Sequence, residues 1–260
     1  MNRPLVAVLA AALSLVATTA GASAVTSVQL SDFQFRLIDL DPSDGITPSI
    51  DLSAYPGSLV YASGYFDQGS SVFGPAQISA SFESGFLEQA SITNDLTDGG
   101  TATALASVSD ATKNYRFAES TVILGVQNST ALFTLSPHTE LVMSGTVDMT
   151  ATTSQVDGFT GSADALAEFA FSTATSGFND IDTDFAVIDI RGDSDRSLQS
   201  DLSVTLSNTS DASMQGGFYV RLSSDAGIVP IRTPVPEPGN VALMLAGLAG
   251  LVPLARRRRN

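Results

Sequence analysis

Apolar residues return at every second position through much of the chain, and that alternation places them on one face of a strand. The clearest runs are Phe33, Phe35 and Leu37; Leu141, Met143, Val147 and Met149; Leu202, Val204 and Leu206; and Phe218, Val220 and Leu222. The last two predict a hairpin, joined by the turn-forming stretch Asn208 to Gly217, which is too long for a two-residue turn. Further strands are predicted at Leu59 to Phe66, Gln77 to Phe82, Ala102 to Val108, Thr121 to Val126, Ala131 to Leu135, Ala165 to Thr173 and Phe185 to Arg191. Phe185, Ala186, Val187 and Ile188 are apolar on both faces, which predicts a central strand. Short strands broken by Gly, Ser, Thr, Asp and Asn predict an all-β fold, an antiparallel β-sandwich of jelly-roll-like form.

Both ends depart from the pattern. Residues 1–24 read as a signal peptide: Arg3 charges the start, Leu5 to Val16 is apolar, and Ala22-Ser23-Ala24 is a small-residue cleavage site that would leave Val25 first. Residues 25–229 form the predicted β domain. Residues 230–239 are a proline-rich linker (Pro230, Pro234, Pro236, Pro238) whose fixed φ angles favour an extended spacer. In residues 240–260 an apolar run, Val241 to Ala255, precedes Arg256, Arg257, Arg258 and Arg259. As a helix the run would be about 22 Å long, short of the roughly 20 residues that usually span a bilayer. The arginines would stay on the cytoplasmic side, their stems making up part of the length.

The order of these three parts closely resembles the PEP-CTERM sorting signal of Gram-negative bacteria. Val235, Pro236, Glu237 and Pro238 match its Pro-Glu-Pro signature, Gly239 to Leu254 its short apolar helix, and Arg256 to Arg259 its basic cluster. The resemblance implies export, passing retention in the inner membrane, and cleavage near the Pro-Glu-Pro by an exosortase. It also implies a place at the cell surface or in an extracellular biofilm matrix rich in exopolysaccharide, with signal peptidase and exosortase as processing partners. An uncleaved tail anchor is the plainer alternative.

Charge narrows the partners. The 12 basic residues less Arg3 and the four terminal arginines leave 7, and the 27 acidic residues less Glu237 leave 26, so the mature chain carries about −19. That charge disfavours nucleic acid and anionic lipid. With no cysteine, nothing staples the fold and thiol nucleophiles are excluded; with a single histidine, a multi-histidine metal site is excluded too.

The acidic turns carry the remaining candidate chemistry. Asp39, Asp41 and Asp44 precede Gly45, Asp180, Asp182 and Asp184 alternate along one strand face, and Asp193 and Asp195 follow Gly192. Crowded carboxylates are calcium ligands in principle, but the spacing from Asp180 does not fit an EF-hand, and solvated turns that keep sheet edges apart are the plainer account. His138, near Ser136 and Glu140, lacks the strand-turn-helix elbow of a hydrolase nucleophile and reads as polar surface. Two function classes follow. The first is a non-catalytic surface or matrix protein with no cofactor, or with bridging Ca2+. The second is a secreted polysaccharide hydrolase or lyase, or a calcium-dependent carbohydrate-binding module. The absence of Trp weighs against the second class, since sugar sites favour aromatic platforms, and Tyr55, Tyr61 and Tyr65 form the only tyrosine cluster.

Overall fold

The computed structural model describes residues 22–53, 59–65, 70–74, 77–80, 86–93, 100–110, 116–125, 132–156, 158–174 and 180–231, with side chains described for 22–53, 101–109, 117–125, 132–156, 158–174 and 181–231. The described residues are all-β, and every strand pair is antiparallel. The strands are β1 (Ala22–Asp39), β2 (Ile50–Asp51), β3 (Leu59–Tyr65), β4 (Ser70–Gly74), β5 (Gln77–Ala80), β6 (Phe86–Thr93), β7 (Gly100–Asp110), β8 (Arg116–Gly125), β9 (Phe133–Leu135), β10 (Thr139–Thr153), β11 (Gln155–Val156), β12 (Phe159–Thr173), β13 (Asp180–Arg191), β14 (Ser194–Asn208) and β15 (Met214–Pro230).

One sheet runs β14-β10-β1-β7-β6-β5, and the other β11-β12-β15-β8-β3-β4. In the second, β13 lies along the edge of β12 beyond β11, and β9 joins β15 to β2. The inward-facing positions of both sheets share one apolar core. Phe33 of β1 meets Phe169 of β12 edge-on, ring centroids 5.9 Å apart, and Phe35 meets Phe218 of β15 at 5.3 Å. Much of the rest is small: Ala104, Ala106, Ala163, Ala165, Ala167 and Ala226 are all buried, and such short side chains let the sheets approach closely. Polar contacts cross between the sheets at Thr26, whose carbonyl accepts the Ser224 hydroxyl at 2.8 Å and whose hydroxyl donates to the Asp164 carbonyl at 3.4 Å.

Two expectations are corrected. Leu202 to Leu206 and Phe218 to Leu222 are strands but not a hairpin, because β14 and β15 belong to different sheets. Their connection crosses between sheets, held by the Asn208 side-chain amide, which donates to the carbonyls of Ser136 and Ala212 at 2.9 Å each. The Phe185 strand is not central either. It is the edge strand β13, and its second apolar face (Ile181, Phe185, Val187) is open to solvent, with Phe185 64% exposed.

The ends of the domain meet at one pole. Ser154, in the link from β10 to β11, donates its N–H to the carbonyl of Ser23 and accepts one from Gly161, while Phe159 pairs with Pro230 at the end of β15. The opposite pole gathers the end of β1, the start of β10 and the end of β14, where Thr139 pairs with both Asp39 and Asn208.

Candidate functional site

At that opposite pole the first acidic turn folds around His138. Asp39 accepts the N–H of Asp41 (3.0 Å), Asp41 those of the Ser43 backbone (3.1 Å) and hydroxyl (2.6 Å), and Asp44 that of Ile46 (2.6 Å). Such side-chain turns are what closely spaced aspartates do in a loop. The His138 carbonyl accepts the Leu40 N–H, and its imidazole stands between two carboxylates, with Nδ1 2.8 Å from Asp44 and Nε2 3.0 Å from Asp211. Burial pulls the imidazole pKa down, but the hydrogen bonds and charges of Asp44 and Asp211 more than reverse this, and the net shift is upward. The two carboxylates thus make the imidazolium more favoured than it would be in an unpaired histidine.

Asp41, Asp44 and His138 bring donor atoms within 4.8 Å of one another, a spacing suited to a metal ion. Both Asp44 oxygens and both ring nitrogens are already engaged, however, so a metal here would have to displace those bonds. The hydrolase arrangement is not assembled: the Ser136 hydroxyl pairs with Thr139 and accepts the Ser49 N–H, and Glu140 accepts from Ser207. This cluster is chemically a loop pin. His138 also sits at φ 47°, a left-handed conformation that asparagine tolerates. His138→Asn is accordingly expected to keep the turn but lose the bridge to Asp211. Amide exchange at residues 40–46 should accelerate, and the stability lost as pH rises through the raised histidine pKa should disappear from the pH profile.

The second acidic group has a different task. Asp182 accepts the N–H of Thr205 (2.7 Å) and Asp184 that of Ser203 (2.9 Å). Among the described residues the accepting strand β13 and the donating strand β14 are both sheet edges, so β13 caps the open donors of β14 across the gap between the sheets. Inward-pointing charges at an edge keep it from recruiting another chain. For Asp180 only the backbone is described, opposite Ser172. In the third group, Asp193 accepts the Gln155 N–H at 2.6 Å.

A fourth group has no counterpart in the sequence patterns. The pairing registers align Asp189 of β13 with Asp164 of β12, Asp164 with Asp225 of β15, and Asp225 with Glu119 of β8. Four carboxylates thus form one row across four bonded strands. Neighbours in such a row have Cβ atoms about 4.5–5.5 Å apart, where like charges repel. Burial, then Glu119 and Asp164, push Asp225 up to about 7; burial, then the hydrogen bond and charge of Asp189, push Asp164 up to about 6. Oδ1 of Asp225 is buried without a partner, and Oδ2 accepts only a long 3.4 Å bond from Ser223. Glu119 and Asp225 are the lone acids of β8 and β15, while β12 and β13 carry several, and nothing local shows that the four align.

The expected processing residues fall unevenly. Ala22 and Ala24 lie inside β1 and are buried, with Ser23 bonded to Ser154 through both its N–H and its hydroxyl. Residues 1–21, Tyr55, the motif Val235 to Pro238 and the cluster Arg256 to Arg259 lie outside the described residues. Among the described residues no helix is long and apolar enough to cross a membrane. No family model, curated protein or solved structure matches the chain.

Proposed function

We propose that this chain is an exported, exosortase-processed structural protein of the cell surface or extracellular matrix, without catalysis. The carrying observation is the tail: a Pro-Glu-Pro motif, a short apolar run and four arginines in that order. The finer architecture we propose is a β-sandwich of jelly-roll-like form, supported by the facing sheets and by connections that pass repeatedly between them. The acidic clusters at β1 and β13 support the non-catalytic reading, since their carboxylates accept bonds that pin a loop and cap an edge. Exopolysaccharide is the matrix partner, with Ca2+ bridging among exposed carboxylates such as Asp41.

The test is the intact mass of native protein from membrane and matrix fractions. A matrix form that has lost both the signal peptide and Arg256 to Arg259 is expected. A form found only in membranes with the arginines intact would make this a tail-anchored protein instead. The second reading, a polysaccharide hydrolase or lyase, is favoured by Asp164 and Asp225, whose raised pKa values lie in the range of a general acid. Turnover of the host exopolysaccharide by the purified domain would establish that reading.

A further inference from the structure

We propose that the row Glu119, Asp225, Asp164 and Asp189 is a proton-operated latch across the outer face of the second sheet, closed in mildly acidic surroundings and strained in alkaline ones. The geometry carries it. Four acids at consecutive register positions on four strands cannot all ionise cheaply, and the strands that hold them are the longest-paired of that sheet. Separating the charges would mean separating β12 from β15, which pair from Phe159 to Thr173. A shared proton relieves the row without moving a strand.

The charged groups around Asp225 are few among the described residues. β12 presents Asp164 and, farther along, Glu168; β8 presents Glu119; β13 presents Asp189 and Arg191; β15 itself presents Arg221. Arg221 is in register with Glu168, and Arg191 lies one outward-facing position beyond Asp189. Both arginines lower the carboxylate pKa values, Arg221 that of Asp225 and Arg191 that of Asp164, but neither cancels the rise. The buried Oδ1 of Asp225 makes ionisation most costly at the centre of the row.

The sign follows from linkage. Both aspartates hold protons more tightly when folded than at the ordinary value of 3.8, so folding takes up protons between about pH 4 and 7. The stabilisation is full below about pH 4 and is lost as pH rises through about 6 and then 7. This is the reverse of the usual salt-bridged carboxylate. His138 acts in the same direction but at the far pole, so it is removed separately.

The experiment measures the folding constant by urea unfolding at pH 5 and pH 8, at fixed ionic strength, for the wild type, Asp225→Asn, His138→Asn and the double variant. The wild-type constant is expected to be at least about a hundredfold larger at pH 5, and Asp225→Asn should cut that ratio by about a hundredfold, largely by gaining stability at pH 8. His138→Asn should leave most of the ratio in place. A wild-type constant that is flat or rises toward pH 8, or an Asp225→Asn ratio equal to that of the wild type, would overturn the latch. Should the variant fail to fold, carboxyl 13C shifts of the wild type decide: a midpoint for Asp225 near 7 supports the proposal, and one near 4 sinks it.

Discussion

Phe169→Ala is expected to destabilise the domain by about 3–5 kcal/mol, the range for deleting a fully buried phenylalanine. Phe169 is 0% exposed, and its ring is the one that β1 meets from the other sheet through Phe33. Gly145 of β10 approaches the same ring, so the void would open where three strands converge. In a domain of this size the loss corresponds to a fall in Tm of roughly 6–20 °C. Phe185→Ala provides the contrast. The same atoms are removed from a side chain 64% exposed on β13, and stability should change by less than about 0.5 kcal/mol. Thermal melts of both variants, taken at pH 5 where the domain is expected to be more stable, check the pair. Equal losses would mean that the two sheets do not share the core described above.

Gly125→Ala is the second large effect. Gly125 ends β8 at φ 81°, and an added Cβ would run into the carbonyl oxygen and carbon of Phe218. The left-handed conformation costs an alanine about 1–2 kcal/mol, and relieving the clash requires the backbone of β15 to shift, at about 1–3 kcal/mol more. Tyr219, which pairs with Gly125, begins the β15–β8 ladder, so the damage falls on a central pair. A total loss of about 2–5 kcal/mol is expected in urea unfolding, with faster amide exchange at Tyr219 to Leu222. A stable, slowly exchanging variant would contradict the close approach of these strands.

Period two was readable wherever large apolar residues alternate with polar ones. Leu141, Met143, Val147 and Met149 all face the core from β10, as do Leu202, Val204 and Leu206 from β14. It was less readable in β12, where Ala163, Ala165 and Ala167 fill the inward positions and give little hydrophobic contrast. Pairing was not legible: β14 and β15 are neighbours in sequence, yet a polar link held by Asn208 sends them to opposite sheets. The Phe185 run misled because an apolar outer face usually means burial, whereas here it lies on an edge. At the candidate sites, Asp39 to Asp44 could be read as a loop because their bonds are local. The carboxylate row could not, because Glu119 and Asp225 meet only through strand register.

The first and last strands of the described domain, β1 and β15, begin and end at one pole, with Ser23 bonded to Ser154 and Pro230 paired with Phe159. β1 runs 18 residues from Ala22 to Asp39, about 60 Å at the usual rise per residue. Ala22 and Pro230 therefore lie one strand length from the loop of Asp41, Asp44, His138 and Asp211, and a substitution in that loop should leave the Ser23–Ser154 bonds and the Phe159–Pro230 pair intact.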